Sequence, residues 1–209
     1  MANGRAIAFI GLGVMGEPIC HNLVRKSGRR VIAFDLSPDP LKRIKEAGAE
    51  IAGSAREAAN EAEFVFLCLP SGAHVRQVFR EGGLIEAART GQTYVDLGTS
   101  PVALARELAE ELAKKGADFA DAPIARTRTA AQTGTLSVMV GARPEVYSRL
   151  EPLISCFATD ITHCGDVGSG QIVKILNNMV LFQTVNALAE ALAVGSGNCV
   201  NHDEVVFQF

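Results

Sequence analysis

Gly11, Gly13 and Gly16 stand in the run GLGVMG, with Leu12, Val14 and Met15 between them. At this spacing each glycine has a separate task. The first permits a tight turn, the second lets a backbone approach a pyrophosphate, and the third lets a helix pack closely on a strand. The helix that follows offers unpaired N–H groups and a partial positive charge to phosphates. Asp35, 19 residues beyond Gly16, ends the next apolar run. Its carboxylate can accept hydrogen bonds from ribose hydroxyls, and its charge repels a 2′-phosphate, which favours NAD over NADP. A turn that only packs a helix on a sheet is the bland reading. Strand, turn, helix and acid in this order favour the dinucleotide site. His21, His74, His163 and His202 form no ligand spacing, and the five cysteines include no CxxC pair, so no metal is assigned.

The elements that must hold these residues alternate. Apolar runs at 6–10, 31–34, 64–69 and 93–96 read as short strands, with 50–51 as a shorter one. Helices are expected after the glycine turn to about Lys26, from Pro38 to about Ala47, from a Ser54 cap to Asn60, through Phe79, and over 101–115. This alternation predicts βαβ units in a doubly wound, mostly parallel, Rossmann-like α/β sheet. Leu69, Pro70 and Thr99 fall at carboxyl ends of predicted strands, where ligands bind in open sheets of this kind. Farther on, 119–122, 136–140 and 161–164 read as strands, 125–133 as a polar loop and 144–153 as a helix. From Ile172 apolar residues recur at helical spacing to about Val194, and Gly195, Ser196 and Gly197 are expected to break that helix. Asp203 would start another. A long helix apolar around much of its surface needs partners on several sides.

The chain has 209 residues, 48% of them hydrophobic and 21% charged, which excludes disordered and disulfide-dependent classes. A net charge of −3 argues against a nucleic-acid partner. No apolar stretch of about 20 residues free of charges or breakers is apparent, so no membrane span is expected. The odd cysteine count and an N-terminus without a signal-like core point to the cytoplasm.

Three segments in order resemble the β-hydroxyacid dehydrogenase family: GLGVMGEPICHNL, DAPIARTRTAAQTGTLSVMVG at 121–141 and GSGQIVKILNN at 168–178. That family includes 3-hydroxyisobutyrate dehydrogenase, tartronate semialdehyde reductase and 6-phosphogluconate dehydrogenase. The resemblance implies an NAD-binding domain over 1–165, then an interdomain helix and the start of a C-terminal helical domain over 166–209, with most of that last domain missing. It implies that Leu69, Pro70 and Thr99 line the cofactor. It also implies that Lys174 is the catalytic lysine, with Asn178 beside it.

The chemistry is compatible with that assignment. Interconverting an alcohol and a carbonyl moves a proton on oxygen as a hydride moves on carbon, and a lysine can be the acid or the base. Its ordinary pKa of about 10.4 must then be lowered, as desolvation does. Asn178 is four residues on and shares a helix face with Lys174. The substrate loop departs from the family pattern: relatives carry Ser-Gly-Gly where this chain has Ala125, Arg126 and Thr127. Arg126 offers a charged fork and Thr127 a hydroxyl. The pair resembles the Arg-Thr variant of sulfolactaldehyde reductases, whose anionic group is a sulfonate, though a carboxylate or phosphate fits the same chemistry. Arg128 is a second candidate. The expected activity is NAD-dependent interconversion of a small anionic hydroxy acid and its semialdehyde, in a homodimer or homotetramer when full length. The alternative is a non-catalytic dinucleotide-binding module.

Overall fold

The computed structural model describes residues 6–197. The first strands and helices are β1 (Ala6–Ile10), α1 (Gly16–Lys26), β2 (Val31–Phe34), α2 (Pro38–Glu46), β3 (Glu50–Ile51), α3 (Ala55–Glu61) and β4 (Ala62–Leu67). Then come α4 (Gly72–Arg80), α5 (Leu84–Ala87), β5 (Thr93–Asp96), α6 (Val102–Ala113) and β6 (Asp118–Asp121). The remainder is β7 (Ile124–Ala125), α7 (Arg128–Thr133), β8 (Leu136–Gly141), α8 (Pro144–Ile154), β9 (Ala158–Gly165) and α9 (Ser169–Gly197). The sheet order is β3-β2-β1-β4-β5-β6-β8-β7, with β9 on β8. The first six strands of that order pair in parallel, as the βαβ alternation requires. β8 reverses direction against β6 and β7 and takes β9 in parallel. Side chains of β1 alternate between two buried clusters: Ile7 and Phe9 enter one, Ala6, Ala8 and Ile10 the other. Both faces of the sheet are therefore covered, which is why these strands are apolar without interruption.

Most local expectations hold. Ser54 caps α3, its Oγ accepting the Glu57 N–H at 3.1 Å. The differences sit where local signals were weakest. The strand expected at 64–69 is β4 over 62–67, so Cys68 and Leu69 lie past its end. The strand at 119–122 starts one residue earlier. The polar loop at 125–133 contains the end of β7 and the helix α7, closed by Gly134 at φ +75°. α5 was not foreseen, and β9 is eight residues rather than a short piece. Gly195, Ser196 and Gly197 lie within α9 instead of breaking it. Asp203, Cys199 and His202 lie outside the described residues.

The described residues fall into two compact units that divide between Lys174 and Ile175. Within the first, Gly170 lets the start of α9 approach the sheet; a Cβ there would lie 2.3 Å from the Met139 carbonyl oxygen. In the second, Met179, Val180, Leu181, Phe182 and Val185 are all exposed. α9 is, by length and composition alone, long and apolar enough to cross a membrane. Lys174, Asn177, Asn178, Gln183, Asn186 and Glu190 are spread along it. Cys20, Cys68, Cys156 and Cys164 are free thiols.

Candidate active site

The glycine turn leaves β1 and enters α1 at the carboxyl edge of the sheet. Gly11 has φ +95°, and a Cβ there would sit 2.4 Å from the Cys68 carbonyl oxygen. A Cβ on Gly16 would sit 2.0 Å from the Gly11 carbonyl oxygen. Both positions thus need glycine for close backbone packing. Gly13 differs: nothing lies within 4 Å of its added Cβ. The open space it faces belongs to a cavity of about 780 Å³ lined by Gly11, Gly13, Val14, Met15, Gly16 and Asp35, with Leu69 and Pro70 on another wall. That volume falls in the usual range for a small-molecule or cofactor site.

Asp35 follows β2 at the edge of this cavity. Its Oδ2 accepts the Leu12 N–H at 2.5 Å and its Oδ1 accepts the Ser37 N–H at 2.7 Å. The carboxylate therefore fixes the glycine turn as well as facing the cavity. Leu12 is 2% exposed and sits in the core; its contribution is this N–H, and it does not line the cavity. The cavity also takes Phe34, Ser54, Cys68, His74 and Gln77. His74 Nδ1 hydrogen-bonds Ser71 Oγ at 2.9 Å. Burial pushes the Cys68 thiol up to about 12, so it is an inert wall rather than a nucleophile. The open space at Gly13, the start of α1 and the Asp35 carboxylate fit a dinucleotide with its pyrophosphate on the turn.

Thr99 is exposed and does not line that cavity. Its neighbours are held by Gln171, a fully buried residue of α9 that sequence reasoning missed. Gln171 Oε1 accepts the Ser100 N–H at 3.0 Å, and its Nε2 donates to the Gly98 carbonyl at 2.9 Å. Asp121 completes the clasp: Oδ1 accepts the Gly168 N–H at 2.6 Å and Oδ2 the Gln171 N–H at 2.8 Å. Asp96 closes its own loop, accepting from Ser100 Oγ at 2.6 Å and the Gly98 N–H at 2.9 Å. Burial raises both carboxyls above the ordinary range, against the pull of these hydrogen bonds. Gln171, three residues before Lys174, and with it the start of α9, is thereby fixed on the sheet. One faint sequence signal existed, since aspartates inside apolar strands must find donors.

Lys174 is half-buried, and desolvation lowers its pKa from the ordinary lysine value. Its ammonium has no hydrogen-bond or ion-pair partner among the described residues. Asn178 is half-buried on the same helix. Arg126 is the described non-glycine residue with positive φ, at +85°. Its guanidinium donates to the Thr135 carbonyl at 2.6 Å, to Thr159 Oγ1 at 3.3 Å, and to Asp160. Ala125 ends β7 and Thr127 is exposed at the start of α7. No cluster of three or more potential metal ligands exists among the described residues.

Comparison with known proteins is consistent with this geometry. Residues 6–165 match the NAD binding domain of 6-phosphogluconate dehydrogenase. The probable mitochondrial 3-hydroxyisobutyrate dehydrogenase of Dictyostelium discoideum is 38% identical over 195 residues, covering 93% of this chain and 60% of the relative. The 3-hydroxyisobutyrate dehydrogenase of Pseudomonas aeruginosa is 40% identical over 193 residues, covering 92% and 64%. The chain thus spans about 60% of the length of curated relatives it matches. The solved 3-hydroxyisobutyrate dehydrogenase of Mycobacterium tuberculosis with L-serine superposes with a TM-score of 0.88 at 35% identity, covering 94% of this chain and 67% of that one.

Proposed function

The chain belongs to the β-hydroxyacid dehydrogenase family, and from that premise we propose that it is an NAD-dependent oxidoreductase acting on the CH–OH group of a small β-hydroxy acid. The product is the corresponding semialdehyde, and the reaction runs either way. The observation that carries this reading is the glycine-turn cavity, open at Gly13 and edged by Asp35; the half-buried Lys174, whose pKa desolvation lowers, supports its catalytic part. NAD, when bound, supplies the acceptor or donor of the hydride at the carbinol carbon. Lys174 Nζ, as the free amine, takes the hydroxyl proton in oxidation; as ammonium it returns that proton in reduction. Asn178 holds the substrate oxygen and helps orient the lysine. Asp35 selects NAD by binding the ribose hydroxyls and repelling a 2′-phosphate.

Ala125, Arg126 and Thr127 hold the substrate's anionic group, a carboxylate or a sulfonate. Asp160 pairs with the Arg126 guanidinium, so the substrate anion competes with that carboxylate for the fork. The relatives' names support a small hydroxy acid, and the apolar surface of α9 supports a homodimer or homotetramer in the full-length protein. The free thiols support a reducing compartment, the cytoplasm. Lys174→Met tests the catalytic reading. Turnover of the full-length enzyme falls by several orders of magnitude while NADH binding persists. Undiminished turnover refutes the assigned role and favours a non-catalytic binding module.

A further inference from the structure

Both side-chain bonds of the buried Gln171 go to one loop and straddle Thr99. Its Oε1 accepts from the residue after it, Ser100, and its Nε2 donates to the carbonyl of the residue before it, Gly98. Thr99 is thus exposed between two backbone groups that are held. The same loop abuts the cofactor cavity. The Leu97 N–H donates to the Leu67 carbonyl at 2.8 Å. A Cβ on Gly98 would lie 3.1 Å from the carbonyl oxygen of Leu69, a residue of the cavity wall. On the other side stands Asp121, which precedes Ala125, Arg126 and Thr127 and holds the Gly168 and Gln171 N–H groups. Its carboxylate is closely packed: a Cβ on Gly141 would lie 2.5 Å from Oδ1. Lys174, three residues beyond Gln171, shares its helix face, whereas Ile172 and Val173 between them are exposed.

A buried amide needs partners wherever it lies. Gln92, the other buried glutamine among the described residues, finds them in the Ala59 and Ala62 carbonyls at 2.7 and 2.9 Å, away from any site residue. Gln171 instead joins the helix of Lys174 to the loop against the cofactor wall, with the substrate-loop segment behind it. We propose that Gln171 is a positioning residue for proton transfer: its amide, backed by Asp121, sets the Lys174 amine at a fixed place relative to the cofactor cavity. The inference rests on Lys174 being the acid–base residue of the proposed reaction. Two directed hydrogen bonds away from water fix distance and orientation together, which apolar packing alone does not. An amine displaced by about an ångström loses rate without loss of cofactor binding.

Steady-state kinetics of the full-length enzyme test the proposal in Gln171→Leu, Lys174→Met and the double variant. Gln171→Leu lowers kcat about ten- to a hundredfold, while KM and NADH affinity stay those of the unsubstituted enzyme. In the Lys174→Met background the same substitution lowers the residual rate no further, because a residue that acts through the lysine has nothing left to act on. Gln92→Leu removes an equally buried amide at the opposite end of β5 from Gly98; it loses stability and keeps its kcat. Asp121→Asn keeps the side-chain size but sets an amide N–H against a backbone N–H, and it reproduces the kcat loss even where Gln171→Leu fails to fold. Unchanged kcat in Gln171→Leu, or in Asp121→Asn where the former does not fold, overturns the proposal. So does a kcat loss matched by Gln92→Leu, or an equal further loss on top of Lys174→Met. Undiminished turnover in Lys174→Met itself overturns the catalytic reading, and this inference with it.

Discussion

Alanine at Gly13 and alanine at Gly16 separate packing from cofactor binding within one turn. At Gly16 the new Cβ would fall 2.0 Å from the Gly11 carbonyl oxygen and 3.2 Å from Cys68 Cβ. The first contact is backbone, so no rotamer relieves it and the turn or the helix must move. Overpacking of this kind costs about 3 kcal/mol, and the displaced turn loses the cofactor too. At Gly13 nothing lies within 4 Å of the new methyl, so the free chain keeps its stability to within about 0.5 kcal/mol. On the proposed placement the methyl fills the path of the pyrophosphate. Losing one charge-assisted hydrogen bond there costs about 1.5–3 kcal/mol, or about ten- to a hundredfold in Kd. Chemical denaturation and NADH fluorescence titration of both variants measure the two effects separately. Gly13→Ala binding NADH as tightly as the unsubstituted chain would refute the placement of the pyrophosphate on this turn.

Three further outcomes are expected. Gln171→Leu leaves the buried Ser100 N–H and the Gly98 carbonyl unpaired, so denaturation should show a loss of about 2–4 kcal/mol. Arg126→Gly relieves a φ of +85° and gives up an exposed ion pair with Asp160; strain of about 1 kcal/mol set against a pair worth ~0–1 leaves stability within about 1 kcal/mol. A fall in the affinity for anionic substrate in that variant checks its binding role. Because desolvation lowers the Lys174 pKa, the alcohol-oxidation rate of the full-length enzyme should rise with pH to a plateau whose midpoint lies below the ordinary lysine value. In Lys174→Arg that limb should vanish.

Much of the nucleotide half of the molecule was legible because its signals are local. The glycines of 11–16, the acid at 35 and the apolar strands each declare themselves within a few residues. β4 was misplaced by two residues because Cys68 and Leu69 continue its apolar run, and only pairing with β1, Ile10 opposite Leu67, ends it. α7 was hidden because it is six residues long with one buried position, Ala131, so no apolar period marks it; packing against α1 through Asn22 stabilises it. The Gln171 clasp was invisible for another reason. Its partners, Gly98 and Ser100, lie more than seventy residues away in sequence, and no spacing rule links them. Arg126 was recognised as a departure from the family pattern, but its left-handed backbone and its hold on Asp160 came only from the fold.

The central claim, an NAD site on the 11–16 turn governed by Asp35, is tested most directly by titrating the folded chain with NADH and with NADPH. Saturable NADH binding is expected, with NADPH binding at least about tenfold weaker, as one uncompensated charge repulsion would give. Equal or tighter NADPH binding would contradict the role of Asp35, and binding of neither nucleotide would contradict the site itself.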